Sequence, residues 1–366
     1  GIPLVAVTGL LSQIAYDPGL GRNDPAGAGG VFALPLFRWP TSPPWLYAAT
    51  QGVHVTVGIA LVPVLLAKLW SVIPKLFAWP PVTSPAQALE RISLALLVGG
   101  ALFEFATGIL NVQLWYPWHF GFVRAHYFGA WVFLAAFLFH VLVKVPVMAR
   151  ALRTRQAVLA PHPPEGTMSR RGLFALVGAG SATLLVVTAG QSIGGPLRRL
   201  ALLAPHGQVS GAGPNGFQVN KTAASVGILP EQTGRRWRLE LRGPSGRRRL
   251  TRAHLAALPQ HTYDLPIACV EGWSTTQRWT GVRLRDLAAL VGGAAQDVDV
   301  RSLQRAGAFA QATLAANQVG DERSLLALRV NGADLSLDHG YPARVIVPAL
   351  PGVHNTKWVA ALTFRA

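Results

Sequence analysis

The sequence predicts a two-part chain: an N-terminal all-α bundle of five transmembrane helices, then a C-terminal α+β domain rich in β-strands. Two observations predict it. Hydrophobic residues make up 51% of the 366 positions and charged residues 13%, against about 25% charged in soluble domains, and the apolar residues gather in long runs before position 195. From Pro205 onward the pattern changes to short alternating runs punctuated by Gly and Pro, the signature of strands and turns. The net charge of +17 suits nucleic acid, anionic lipid or orientation signals, and the positions of the charges must decide.

The first apolar segment, Gly1 to Tyr16, is shorter than the roughly 20 residues a span needs. With no initiator Met, the sequence reads as beginning inside a span. The others run from Trp45 to Trp70, Ile92 to Trp115, Phe120 to Val143 and Gly172 to Ile193, with Trp and Tyr at several ends as in interfacial belts. A Gly/Pro-rich loop, Asp17 to Pro44, separates the first two. Nine basic residues (Lys68, Lys75, Arg91, Lys144, Arg150, Arg153, Arg155, Arg170, Arg171) fall on one side and three (Arg22, Arg38, Arg124) on the other. The positive-inside rule then places the linker in the cytoplasm and everything after the last span outside. The expected organisation is a helical bundle over 1–150, a basic cytoplasmic linker over 151–171, a fifth span over 172–195 and a separate domain over 205–366. The chain is thus expected to be a multi-pass protein of the cell membrane with its C-terminal domain extracytoplasmic. The fifth span opens with SRRGLFALVGAG, Ser169 to Gly180, which is similar to a twin-arginine export signal. Orientation alone also asks for arginines there; the export pathway would carry a domain already folded around a cofactor.

In the C-terminal part, RWRLELRGPSGRRRL reads as a hairpin turning at Pro244-Ser245-Gly246. Strands are expected at Tyr263 to Val270, Ala327 to Asn331, Ala343 to Val347 and Trp358 to Phe364, and helices at Arg252 to Leu258 and Leu284 to Val291. Eight arginines lie between Arg235 and Arg252. They form either a phosphate-binding patch or a solvated hairpin face near anionic lipid, and the extracytoplasmic topology argues against nucleic acid.

Ionisable residues inside spans point to function. Three histidines qualify: His54, His126 and His140. Imidazoles from two helices can hold a haem iron axially, and bundle cores commonly build such sites. At ~1.5 Å per residue from the span centres, His54 lies roughly 4.5 Å and His126 roughly 9 Å outside the midplane, and His140 roughly 12 Å inside it. His54 and His126 are the candidate pair, with His140 open to a second haem or a backbone carbonyl; the alternative is that all three are hydrogen-bonded packing residues. Glu104, mid-span, is either a proton or quinol contact or a structural acceptor. LYAATQGVHVTVGIALVPVLLAKLW through HYFGAWVFLAAFLFHVLVKVP resembles membrane cytochromes b of the b561 and formate-dehydrogenase-gamma type, which implies b haem and exchange with quinone or quinol.

Cys269 is the only cysteine, so no intrachain disulfide can form. By residue type alone it reads as a buried small hydrophobe. Its surroundings change that reading. CVEGWSTTQRWTGVRLRDLAALVG, Cys269 to Gly292, resembles the metal-ligand segment of the sulfite oxidase family of molybdenum enzymes, especially the branch of the methionine sulfoxide reductase catalytic subunit. LLALRVNGADLSLDHGYPARVIVPAL and TKWVAALTF resemble the family's pterin-binding stretch. The resemblance implies that Cys269 ligates molybdenum, that His339, Arg344, Thr356 and Lys357 grip the molybdopterin, and that Asn220 and Lys221 lie at its other edge. Two departures stand: Leu328 replaces a tyrosine usual in sulfite oxidases, and the sequence ends without their dimerisation domain.

The expected function is membrane-anchored oxo transfer on a small sulfur or nitrogen oxide compound or sulfoxide, with electrons exchanged with the quinone pool through b haem. Membrane lipid, quinone and other respiratory subunits are the expected partners, and nucleic acid is not. The second reading is a non-catalytic or electron-transfer subunit with a degenerate molybdopterin-fold docking domain.

Overall fold

The computed structural model describes residues 1–366 apart from 17–31, 35, 81, 155–167, 205–207, 211–212, 294–295, 308–309 and 366. Arg22, Arg155, most of the expected cytoplasmic linker and much of the Asp17 to Pro44 loop lie outside the described residues. The chain divides into two compact units, Gly1–Pro3 with Val55–Thr188 and Leu4–His54 with Ala189–Ala366.

The helical elements are α1 (Ile2–Ile14), α2 (Leu46–Ala60), α3 (Val62–Leu76), α4 (Pro85–Val112), α5 (Phe122–Thr154) and α6 (Arg170–Ile193). Among the described residues three stretches are long and apolar enough to cross a membrane: Gln87–Val112, Phe122–Pro146 and Arg170–Ile193. The five expected spans are therefore not all found. With 13 residues, α1 reaches only about 20 Å at ~1.5 Å per residue, short of a core of about 30 Å. The expected second span is a pair, α2 and α3, bent by 43°. Pro63 follows the break at Leu61; it lacks the N–H that would bond Ile59 and its ring crowds that carbonyl. Counting the pair as one span gives four. Ser84 caps α4 by accepting from the Gln87 N–H.

Within the first unit, His126 and Glu104 face each other, with Nδ1 3.2 Å from Oε2. Thr107 Oγ1 lies 2.9 Å from the same Nδ1 while donating to the Phe103 carbonyl. Since that hydroxyl has spent its proton, His126 Nδ1 is the donor. Lys144 pairs with Glu90. His140 Nδ1 has no hydrogen-bond partner among the described residues.

The second unit carries the β-rich domain: β1 (Gln208–Ser210), β2 (Phe217–Val219), α7 (Pro230–Thr233), β3 (Leu239–Gly243), β4 (Gly246–Leu250), α8 (Arg252–Ala257), β5 (His261–Ala268), β6 (Ser274–Arg283), α9 (Leu284–Ala289), β7 (Val298–Ser302), β8 (Gln311–Leu314), α10 (Ala316–Gly320), β9 (Leu325–Val330), β10 (Ala333–Asp334), β11 (Arg344–Ile346) and β12 (Val359–Phe364). One five-stranded sheet runs β4-β3-β12-β7-β8, a second runs β10-β9-β6-β5 with β11 also on β9, and β1 pairs with β2 in a separate two-stranded sheet. The expected hairpin is β3–β4, with Gly243 opposite Gly246. Leu239, Leu241, Val298, Val300 and Leu362 make the core of the first sheet, while Leu265, Ile267, Trp279, Leu325 and Ile346 make that of the second.

The longest strand, β6, carries no clear apolar alternation. It forms because β5 and β9 pair with its two edges, and context of this kind overrides propensity in central strands. Gly281 sits where the β6–β9 register shifts, and a Cβ there would fall 2.1 Å from the Leu326 carbonyl oxygen. The backbones can close only over glycine.

The segment before α2 packs into the same unit. Trp39 donates through Nε1 to the Ala349 carbonyl at 2.6 Å, and Arg323 donates to the Thr41 carbonyl at 3.1 Å. His54 Nδ1 lies 2.9 Å from the Val5 carbonyl. Gly9 makes room for that ring, since a Cβ there would fall 2.7 Å from it.

Candidate active site

Cys269 follows the last residue of β5, at the start of a tight turn. Its N–H donates to the Trp273 carbonyl at 2.9 Å, and the Gly272 N–H donates back to the Cys269 carbonyl at 3.0 Å. Gly272 takes φ +89, which only glycine adopts without strain. On the far side the Gly352 N–H donates to the Ala268 carbonyl at 2.7 Å. The thiol is thus fixed at a strand end.

An open pocket faces this turn, enclosing about 420 Å³ with its solvent-open mouth. Six residues expected from the sequence line it: Asn220, Lys221, Cys269, His339, Arg344 and Lys357. Thr356 does not. It is fully buried, and its hydroxyl donates to the His354 carbonyl at 3.4 Å.

Backbone carbonyls hold Arg344, Lys357 and His339, and side chains hold Asn220. The Asn220 amide donates to Cys269 Sγ at 3.3 Å and to Glu271 Oε2 at 2.9 Å. Arg344 donates to the carbonyls of His339 and Asn355, both at 3.1 Å; its Nε has no partner. Lys357 Nζ donates to the carbonyls of Lys221 at 2.9 Å and Asp338 at 2.8 Å. His339 stacks on Phe217, ring centroids 3.7 Å apart, with Nε2 2.9 Å from the Asn215 carbonyl.

Arg344 and Lys357 are 3% and 7% exposed, and among the described residues neither has a carboxylate within ion-pair distance. Burial pushes the Arg344 guanidinium down to about 9, still charged at neutral pH. Burial, then Arg344, pushes the Lys357 ammonium down to about 7. The same two causes push His339 down to about 3, so its imidazole is neutral. An unpaired buried charge costs several kcal/mol, so two neighbouring ones mark a site shaped for an anion. Burial, with Glu271 beside it, raises the Cys269 thiol well above its ordinary range, the state expected before a cation converts it to thiolate.

Sequence reasoning passed over three residues here. Glu271 is 5% exposed, and burial raises its carboxyl; it stands two places from Cys269, inside the same motif. Trp273 lies in that motif too and walls the pocket. Gln218, which donates to Asn220 Oδ1 at 3.2 Å, carries no sequence signal.

Residues 226–366 match the family described as the oxidoreductase molybdopterin binding domain. The C-terminal region is a molybdopterin-binding oxidoreductase domain. Asn220 and Lys221 precede the matched residues. The domain is 29% identical over 103 residues to mitochondrial sulfite oxidase of Rattus norvegicus, covering 26% of this chain and 19% of that protein. It is 31% identical over 109 residues to the uncharacterized oxidoreductase YuiH of Bacillus subtilis, covering 30% and 54%. The chain thus spans about a fifth of the length of the rat sulfite oxidase it matches. A solved structure, the sulfane dehydrogenase SoxCD of Paracoccus pantotrophus, aligns with TM-score 0.33 and 23% identity, covering 36% of this chain and 38% of that one. No group of three His, Cys, Asp or Glu is arranged to hold a metal ion among the described residues.

Proposed function

We propose that the chain is a membrane-anchored molybdenum oxidoreductase that transfers an oxo group to or from a small sulfur or nitrogen oxide compound or sulfoxide, and exchanges electrons with quinone through b haem. The observation that carries the proposal is one pocket joining a thiol, Cys269, to two buried cations, Arg344 and Lys357, that have no carboxylate within ion-pair distance among the described residues. These residues fit the group: a soft thiolate suits a metal already bound by dithiolene sulfurs, and a guanidinium fork with an ammonium suits a phosphate. When bound, the molybdenum cofactor supplies oxo transfer coupled to two electrons.

The chain's own residues do the rest. Cys269 is the protein ligand to the metal, and Asn220 orients its sulfur through the 3.3 Å contact. Arg344 and Lys357 neutralise the phosphate; His339, held neutral, positions the pterin edge; Phe217 and Trp273 keep water from the pocket wall. In the helical part, His54 and His126 each have Nδ1 engaged, at the Val5 carbonyl and beside Glu104. An imidazole that donates through Nδ1 carries its lone pair on Nε2, the arrangement second-sphere acceptors impose on metal ligands. This supports the two as haem ligands, with His140 the third candidate.

Elemental mass spectrometry of the purified chain tests both halves of the proposal. About one molybdenum with one or two iron is expected per chain, by the one-cofactor, two-histidine ligation; iron without molybdenum would leave the domain a docking module. Quinol-driven reduction of a sulfoxide panel then tests the substrate class.

A further inference from the structure

The turn that carries Cys269 presents more carbonyls than it can satisfy itself. The Cys269 and Trp273 carbonyls are taken up inside the turn. Those of Val270 and Gly272 are not. Buried carbonyls need partners, and these two find them in the second turn of α2 and the last turn of α6. Gln51 of α2 donates through Nε2 to the Val270 carbonyl at 2.6 Å, and Ser192, next to last in α6, donates to the Gly272 carbonyl at 2.5 Å. The arrangement is reciprocal, since Ser274 donates to the Ser192 carbonyl at 2.8 Å.

The fit between α2 and the end of α6 is specific. A Cβ on Gly52 would fall 2.7 Å from Ser192 Cβ and Oγ, so glycine at 52 lets the hydroxyl reach the turn. Gln51 is 6% exposed. A polar amide in an apolar helix is retained there at a desolvation cost, which the bond to Val270 offsets.

We infer that Gln51 and Ser192 are positioning residues for the Cys269 sulfur: the two helices fix the turn that presents the thiol. The metal-facing geometry of the domain is then set partly by residues more than 75 positions before it in sequence. This rests on the proposed role of Cys269 as metal ligand, yet its first test needs no metal.

The single cysteine makes a clean reporter. In the full chain, purified in detergent from cells that cannot make molybdopterin, alkylation of Cys269 by iodoacetamide at fixed pH reads how often the turn opens. Losing one neutral hydrogen bond of this kind should speed alkylation roughly two- to tenfold in Gln51→Met, Ser192→Ala and Gly52→Ala. Wild-type rates in all three, with circular dichroism unchanged, would overturn the inference. Should Gln51→Met fail to fold, Ser192→Ala, which deletes one oxygen, decides alone. In the metal-containing chain Ser192→Ala should alter the molybdenum electron-spin resonance signal while molybdenum content is kept, which loss of stability alone would not do; an identical signal would remove the positioning role. Absence of molybdenum from the wild-type chain would refute the ligand role of Cys269 and leave the alkylation result standing.

Discussion

Lys357→Met in the cofactor-free chain offers the most quantitative test of the anion site. Lys357 is buried, and its ammonium falls from an ordinary 10.5 to about 7, chiefly through desolvation and then Arg344. The unfolded chain therefore binds a proton that the folded chain has lost between those two values, and stability rises with pH across that window. A penalty on the order of 5 kcal/mol is fully present below pH 7, since the gap of about 3.5 pH units is multiplied by 1.36 kcal/mol. From pH 7 to pH 9 single-site linkage relieves about 2 kcal/mol of it, equivalent to roughly 4–8 °C in the melting point of a domain of this size. Methionine keeps the length of the side chain and removes the charge, so the variant should lack that rise. Melting of both chains in detergent, followed by pulse proteolysis of the C-terminal domain at pH 7 and pH 9, measures the difference. A bound anion should likewise flatten the wild-type curve by holding Lys357 protonated. Equal pH dependence in wild type and Lys357→Met would refute the claim that burial destabilises this ammonium in the folded chain.

Other outcomes can be checked more simply. Cys269→Ala should abolish oxo transfer and leave the reduced-haem spectrum intact, so unchanged turnover would remove Cys269 from the mechanism. His54→Ala should lose haem, read as loss of the α-band in the dithionite-reduced spectrum, whereas an unaltered band would show that another residue ligates the iron. Trp279→Ala, at a fully buried position whose Nε1 donates to the Leu265 carbonyl at 3.2 Å, should destabilise the domain by about 3–5 kcal/mol, measured as a shift in denaturant midpoint. Protease added to sealed right-side-out vesicles should cut the C-terminal domain; complete protection would reverse the topology drawn from the basic residues.

The sequence by itself determined the division into an apolar helical half and a strand-rich half, because runs of 20 apolar residues and alternating runs of five have different physical uses. Local pattern also located the β3–β4 hairpin, β5, β9, β12 and the two short helices α8 and α9. The resemblance of two motifs to the sulfite oxidase family, and not local pattern, singled out Cys269, His339, Arg344 and Lys357, which stand some 70 to 90 residues apart. What the tertiary structure alone decided was convergence. The polar strand β6 exists because two neighbours take up its hydrogen bonds, and periodicity could not reveal it. The break at Leu61 depends on backbone geometry that a hydropathy run averages away. Thr356, adjacent to Lys357, is fully buried with its hydroxyl on the His354 carbonyl, in an irregular segment that periodicity does not describe. Glu271, Gln51 and Ser192 gain meaning only through the carbonyls and thiol of one turn. Contacts that join residues more than 75 positions apart are set by packing, and no local pattern records them.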